Sequence, residues 1–420
     1  MKDRTELLPG VHLTAVQTEK FKTGCFSVNL LRPLSRAEAS ANALIPSVLL
    51  RGSEQYPDIQ SISARLDELY GASLGTLVRK KGEVQFVGFY ADYLEDAFAG
   101  EPVFAPMTEF LAQILLHPLP EDGHFQTDAA EGEKVNLANA IEARLNDKRS
   151  YAISQMLKTM CREEIYGVPR LGELEDLDAL DEKNLYAHYR RILESSQVEI
   201  FYMGRQTPEQ AGELFRAALR GLPRGAAVPV GTQVVPRAGA VRELTESLDV
   251  TQGKLSLGFR TGCTVKDPDY PALVVMNTVY GGGITSKLFR RVREEQSLCY
   301  YASSSVEKFK GVMVVSSGIE FSDCEKAKTE ILRQLDECRA GNITDEELDA
   351  AKRYLVSDLR AATDSPGRLD DYYMGQIMEG LDGTPAELAE RIAAVTKDEA
   401  ARAAARVSLD TVYFLKGAEA

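Results

Sequence analysis

One order of elements runs twice along this chain of 420 residues. A strand pattern is followed by two helical patterns, a pair of strands, long helices and a closing strand. A chain that repeats such an order builds two cores, because each copy has its own sheet and its own helices to bury against one another. The length agrees, since a single hydrophobic core stops growing at roughly 250–300 residues.

In the first half the spacing predicts a strand over 25–31 and a helix from Arg36. Ala37, Ala41, Leu44 and Val48 recur at helical intervals, and Gly52 is a plausible stop. Ser35 and Glu38 have the form of a capping box, in which each side chain would satisfy an orphan N–H at the helix start. Ile59, Ile62, Leu66 and Leu69 predict a second helix ending at Gly71. Strands over 73–79 and 83–92 follow, joined as a hairpin through Lys80-Lys81-Gly82. Helical patterns then occupy 102–116, 125–146 and 150–165, and 198–202 reads as a strand.

The second half has strands at 254–259, 301–307, 311–318 and 411–415. Helices are expected over 270–280, 286–295, 324–340 and 345–362. The intervening 222–239 is rich in proline and glycine, as linkers are. The expected division is therefore a first domain over 1–221, a linker over 222–239 and a second domain over 240–420.

Composition removes several functions. The net charge of −14 repels phosphate backbones, so nucleic acid is not expected as a partner. No apolar run reaches 18 residues, which excludes a membrane-spanning helix, and the first residues lack the apolar centre of a secretion signal. Six scattered cysteines without a C-x-x-C pair fit reduced thiols, so a cytoplasmic location is expected.

Three local patterns suggest chemistry. His117 and His124 flank Glu121 and Asp122, but no two of the four histidines stand at i, i+4, and two prolines interrupt the segment. A solvated loop is the better reading. Gly71-Ala72-Ser73-Leu74-Gly75 matches a serine nucleophile elbow, yet that motif needs a strand before it and a helix after it, and the order here is reversed. The segment Gly281-Gly282-Gly283 through Lys287 lacks the G-K-S/T ending that puts a lysine on the phosphates, although open N–H groups there would suit a peptide carboxylate or carbonyl.

Three further segments resemble the insulinase/pitrilysin-like zinc metallopeptidases, which include the mitochondrial processing peptidase. The first is Ala43 through Ser53, followed by Leu66-Asp67-Glu68-Leu69-Tyr70-Gly71. The second is Glu133-Lys134-Val135 through Ile141. The third is Ser286-Lys287-Leu288-Phe289-Arg290-Arg291-Val292-Arg293-Glu294-Glu295, then Leu298-Cys299-Tyr300. The resemblance implies an α+β fold of two duplicated domains, each a mixed or antiparallel sheet packed with helices, facing each other across a cleft.

In active members the first segment reads H-x-x-E-H and the second supplies a glutamate. By position, Ala43 and Ser47 stand for the two histidines, Pro46 for the general base and Ala140 for the third ligand. Alanine and proline offer no donor and serine a weak one, so no metal and no cofactor are expected, and with them no metal-activated water. Pro46 also removes a backbone donor from a predicted helix. The third segment is intact, and Arg293 and Tyr300 match the pair that contacts substrate in active members. Structurally, Arg293 would instead pair with a nearby glutamate and Tyr300 half-bury in a strand.

The resemblance implies a non-catalytic subunit that pairs with an active, zinc-bearing paralogue and helps it bind and process peptides or unfolded protein segments. The alternative is a stand-alone peptide-binding or chaperone-like protein holding extended chains by strand addition. Peptidase activity through a different metal is the third reading. The chain also resembles a bacterial branch associated with the 5-aminopentanol modification of elongation factor P.

Overall fold

The structure, a computed structural model, describes residues 2–418. Its contacts divide the chain into two compact units. The first holds the residues up to Glu142, Val168–Gly231 and Tyr373–Gly375; the second holds Ala143–Gly167, Thr232–Tyr372 and the chain from Gln376 onward. Thus 143–167, which by sequence belongs with the first half, packs with the second unit.

The first sheet is built from β1 (Lys2–Leu8), β2 (Val11–Gln17), β3 (Thr23–Pro33), β4 (Ser73–Lys81), β5 (Val84–Leu94) and β6 (Gln197–Gly204), in the order β1-β2-β6-β3-β5-β4. The second contains β7 (Arg242–Leu248), β8 (Gly253–Arg260), β9 (Tyr301–Glu307), β10 (Val312–Ile319) and β11 (Ser408–Gly417), in the order β9-β10-β8-β11-β7. Omitting β1, each sheet runs first, fifth, second, fourth and third strand in chain order. In each, only the first and fifth strands of that set are parallel, β2 with β6 and β7 with β11. The repetition read from the order of elements is therefore a repetition of topology.

Strands β1 and β7 carry no sequence signal. Their letters, KDRTELL and RELTESL, are largely charged, and both lie at sheet edges. Backbone pairing with one neighbour holds them, and charged side chains are what edge strands tolerate. The predicted hairpin is present, turning at Gly82 with φ +53°, a conformation glycine adopts without a Cβ clash.

Four helices bear on the sites: α1 (Arg36–Leu49), α2 (Thr127–Glu142), α3 (Lys148–Met160) and α4 (Glu182–Ser195). The expected capping box at α1 does not form. Ser35 is the N-cap but makes no side-chain cap bond, the Glu38 N–H donating to Ser35 O (3.2 Å), and the Glu38 carboxylate is drawn to Arg32 (2.9 Å) and Arg191 (3.1 Å). Two guanidiniums outcompete a neutral N–H for that carboxylate. The helix expected over 286–295 is a π-helix over Leu288–Glu295.

Within the second unit α3 lies on the sheet face carrying Lys254, Ser256, Gly258 and Arg260. A Cβ on Gly258 would collide with the sulfurs of Met156 and Met160, so the missing side chain is what lets the helix sit down. Arg260, 2% exposed, holds Glu164 at 2.5 Å and Asp410 at 3.0 Å, and Lys310 reaches Glu164 at 2.7 Å. Buried charges are tolerable only in such mutual satisfaction. In the first unit Tyr373 stacks on Phe201 with ring centroids 6.2 Å apart, and Met374 lies against Asn29.

Candidate functional site

The positions aligned with the zinc site begin on α1. Ala43 is 4% exposed and belongs to the first hydrophobic core, Pro46 is buried and Ser47 half-buried. The helix continues through the proline, with Leu50 N–H donating to Pro46 O at 3.2 Å. Ala140 is exposed on α2, which packs against α1. Near the end of α1, Arg51 pairs with Glu133 of α2 at 3.3 Å.

A hydrogen-bonded ladder fixes the inner side of α1. Asn42 donates to Gln85 Oε1 at 2.9 Å, and Gln85 donates to Ala39 O and Arg170 O. His188 of α4 lies 2.7 Å from Asn42 Oδ1 through Nε2 and 2.6 Å from Arg191 through Nδ1. Arginine can only donate, so Nδ1 accepts and the Nε2 proton goes to Asn42. Burial pushes the His188 pKa down to about 4, which keeps the ring neutral.

In the second unit the π-helix presents Arg293 outward. Its wide turns close late, with Gln296 N–H on Arg291 O and Leu298 N–H on Val292 O. The Arg293 guanidinium stacks over Phe289 at 4.6 Å and has no carboxylate partner among the described residues. The nearby glutamates serve other arginines: Glu295 holds Arg291 and Glu346 lies by Arg290. The expected Arg293–glutamate pair is absent. Tyr300 is 57% exposed rather than half-buried; its hydroxyl bonds Glu320, and that bond raises its pKa.

Gly281 and Gly282 both donate to Asn277 O, at 2.8 and 3.0 Å, so their N–H groups are not open to a peptide. Their backbone is needed for close packing instead, since a Cβ on either would strike Ser304 and Leu288 or Thr278. Only Gly283 has free space around its Cα. His117 lies 4.0 Å from Glu54 and His124 is bonded to Phe125 O, in a small hairpin. Ser73 opens β4 directly after the left-handed Gly71 (φ +69°), in no elbow.

The chain is 32% identical over 416 residues to a probable inactive metalloprotease of Bacillus subtilis, YmfF, spanning 98% of this chain and 96% of that protein. This chain belongs to the M16 metallopeptidase family. The family model described as the Peptidase M16 inactive domain matches residues 179–355. Among solved structures, a conserved protein of Enterococcus faecalis V583 superposes with TM-score 0.91 at 32% identity, covering 99% of this chain and 98% of the other. A peptidase M16 inactive domain of Pseudomonas fluorescens gives 0.80 at 16% identity, covering 99% and 98%; at that identity the likeness is one of fold.

This is an inactive M16 peptidase-like protein. The family's zinc does not fit the residues present: Ala43 and Ala140 end at a methyl group, Pro46 has no proton to move, and Ser47 alone has a hydroxyl. Among the described residues no group of three or more His, Cys, Asp and Glu side chains is placed to hold a metal ion. The M16 scaffold is kept, and the residues at its zinc positions do not fit the metal.

Proposed function

We propose that this M16 protein is the non-catalytic subunit of a peptidase whose zinc-bearing partner is an active relative. One observation carries the reading: Arg293 is presented to solvent on a π-helix with no carboxylate partner among the described residues, in a chain whose α1 cannot hold zinc. An exposed guanidinium stacked on an aromatic ring is a common recognition group. The subunit contributes this group and Tyr300 to substrate binding, and the partner supplies the metal. Peptides or unfolded segments are the proposed cargo. The six cysteines, none in a disulfide among the described residues, suit a cytoplasmic setting, and elongation factor P modification is the pathway the resemblance suggests.

The test is co-expression with a zinc-bearing M16 relative encoded in the same genome. Co-purification and peptidase activity that needs both chains are expected. Two chains that neither associate nor gain activity together overturn the reading. Stoichiometric zinc in this chain alone would also overturn it.

A stand-alone peptide-holding role has its own observation, the edge positions of β4 and β9, each paired on one side within its sheet. Calorimetry on the isolated chain separates the readings. Micromolar peptide affinity without the partner, lost in Arg293→Ala, supports the second.

A further inference from the structure

The face of the second sheet beneath α3 has two unlike ends. At one, Arg260 and Lys310 are fully matched by Glu164 and Asp410. At the other, Arg149 and Lys254 meet around the ring of Tyr301, with the guanidinium carbon 4.3 Å and the ammonium nitrogen 5.9 Å from its centroid. Neither cation is in an ion pair among the described residues. In a chain of net charge −14, two adjacent cations with no acid in ion-pair contact among the described residues are unusual, and their mutual repulsion favours a counter-charge.

The pairing of the strands builds this end deliberately in shape. Tyr301, Gly318 and Lys254 stand in one row across β9, β10 and β8. A Cβ on Gly318 would strike the Tyr301 ring, so glycine there lets the ring lie flat over the row toward Lys254. The next row on the same face is Ser303, Ser316 and Ser256. Ser303 Oγ accepts from Arg149 at 2.7 Å, and the hydroxyls of Ser316 and Tyr301 lie 3.5 Å apart. Ser256 Oγ is fully buried and has no hydrogen-bond partner among the described residues.

Two acids lie near. Asp147 acts on Lys254, but its oxygens are taken by the N–H groups of Arg149 and Ser150 and by Ser150 Oγ at the start of α3. Glu320 is held by Tyr300. Burial, then the neighbouring Arg149, lowers the Lys254 pKa, and Asp147 offsets this only in part.

We propose that Arg149, Lys254 and the serine row beneath Tyr301 form a carboxylate-binding site for a peptide, engaging either its C-terminal carboxylate or an acidic side chain. The inference rests on the peptide-binding part of the function proposed above and names the chemistry that the peptide must carry. Arg149 supplies a planar donor pair, Lys254 a point charge, and the partly exposed Ser303 beside Arg149 a hydroxyl.

The experiment is calorimetry of the full chain with four heptapeptides of alternating valine and threonine. One has a free C-terminus, one a C-terminal amide, and two amidated forms carry glutamate or glutamine at the centre. We expect the free acid, or the glutamate peptide, to bind about tenfold or more tightly than its neutral counterpart. The preference should shrink at 0.5 M salt and vanish in Arg149→Gln and in Lys254→Gln. Arg149→Lys, which keeps the charge, should retain part of it, and matching thermal unfolding of the variants would show that the fold is intact.

A preference for the free acid assigns the chain end, and one for glutamate assigns the side chain; either supports the site. Equal binding of all four peptides, unchanged in the variants, overturns the site and leaves the peptide-binding reading standing. No binding of any peptide overturns both.

Discussion

Helix α1 and the segment Leu288–Tyr300 carry two of the motifs by which this chain resembles active zinc peptidases, and the structure treats them in opposite ways. On α1 the former ligand position has become interior: Ala43 is a core residue, and the polar neighbours Asn42, Gln85 and His188 are turned to one another. On Leu288–Tyr300 the apolar residues Leu288 and Val292 are buried while Arg293 and Tyr300 point to solvent. Where catalysis has been given up, stability governs the side chains. Where recognition is proposed, polar groups stay exposed although nothing in the fold needs them there.

That contrast breaks most sharply at Ala43. Ala43→Asp would place an unpaired carboxylate in the first core, and an isolated buried charge costs several kcal/mol. A loss of about 3–5 kcal/mol in urea-unfolding stability is expected. A loss below about 1 kcal/mol would mean that position 43 still faces water, as a ligand position must, and the comparison would fail.

Pro46 sharpens the same contrast by a smaller amount. Its ring withholds an N–H from the helix, a cost of about 3 kcal/mol. Freeing the unfolded chain would return up to about 1 kcal/mol of that gain, and the two methylene groups lost from a buried site about as much again or somewhat more. Pro46→Ala should therefore stabilise by about 1 kcal/mol, measured by the same denaturation. Destabilisation instead would show that the proline is now part of the packing.

The ladder behind α1 predicts an acid response. His188 is neutral in the folded chain, its pKa lowered by burial to about 4 from an ordinary value near 6.5. The unfolded chain therefore binds this proton first. The stability it confers is complete above pH 6.5 and is lost as the pH falls toward 4, with a slope of at most about 1.4 kcal/mol per pH unit. Glu38, whose carboxylate is held by Arg32 and Arg191 beside the ring, has its pKa lowered and loses its contribution at lower pH. The interval from pH 6.5 to 5 therefore reports His188. In His188→Gln, whose amide can still accept from Arg191 and donate to Asn42, the stability profile over that interval should flatten.

Much of this was legible in the letters, for physical reasons that differ by region. The hairpin of β4 and β5 and the helices Cys324–Arg339 and Asp345–Ala362 announce themselves by periodicity and a turn glycine. The charged edge strands β1 and β7 do not, because pairing through the backbone leaves no mark on side-chain pattern. Nor could periodicity show that α3 packs with the second unit, since that depends on Gly258 lying under Met156 and Met160, a hundred residues away. At the sites, the residues that replace the zinc ligands and the general base, Ala43, Ser47, Ala140 and Pro46, are read from the letters themselves. The cations around Tyr301 are not, since Arg149, Lys254 and Tyr301 meet only after strand pairing sets Gly318 between two of them.

The smallest effect on stability belongs to the retained segment, and it is the one on which the proposed function turns. Arg293 makes a stacking contact with Phe289 and no ion pair among the described residues, and the Tyr300 hydroxyl bonds only the exposed end of Glu320. Exposed groups of this kind contribute little to folding, so Arg293→Ala and Tyr300→Phe should each change unfolding stability by no more than about 0.5 kcal/mol. If the segment is kept for recognition, the same substitutions lower the peptidase activity of the paired complex about tenfold or more, the size expected when a recognition hot spot is truncated. Variants as stable and as active in complex as the parent would place these two side chains with the ordinary surface and leave α1 with nothing to be compared against.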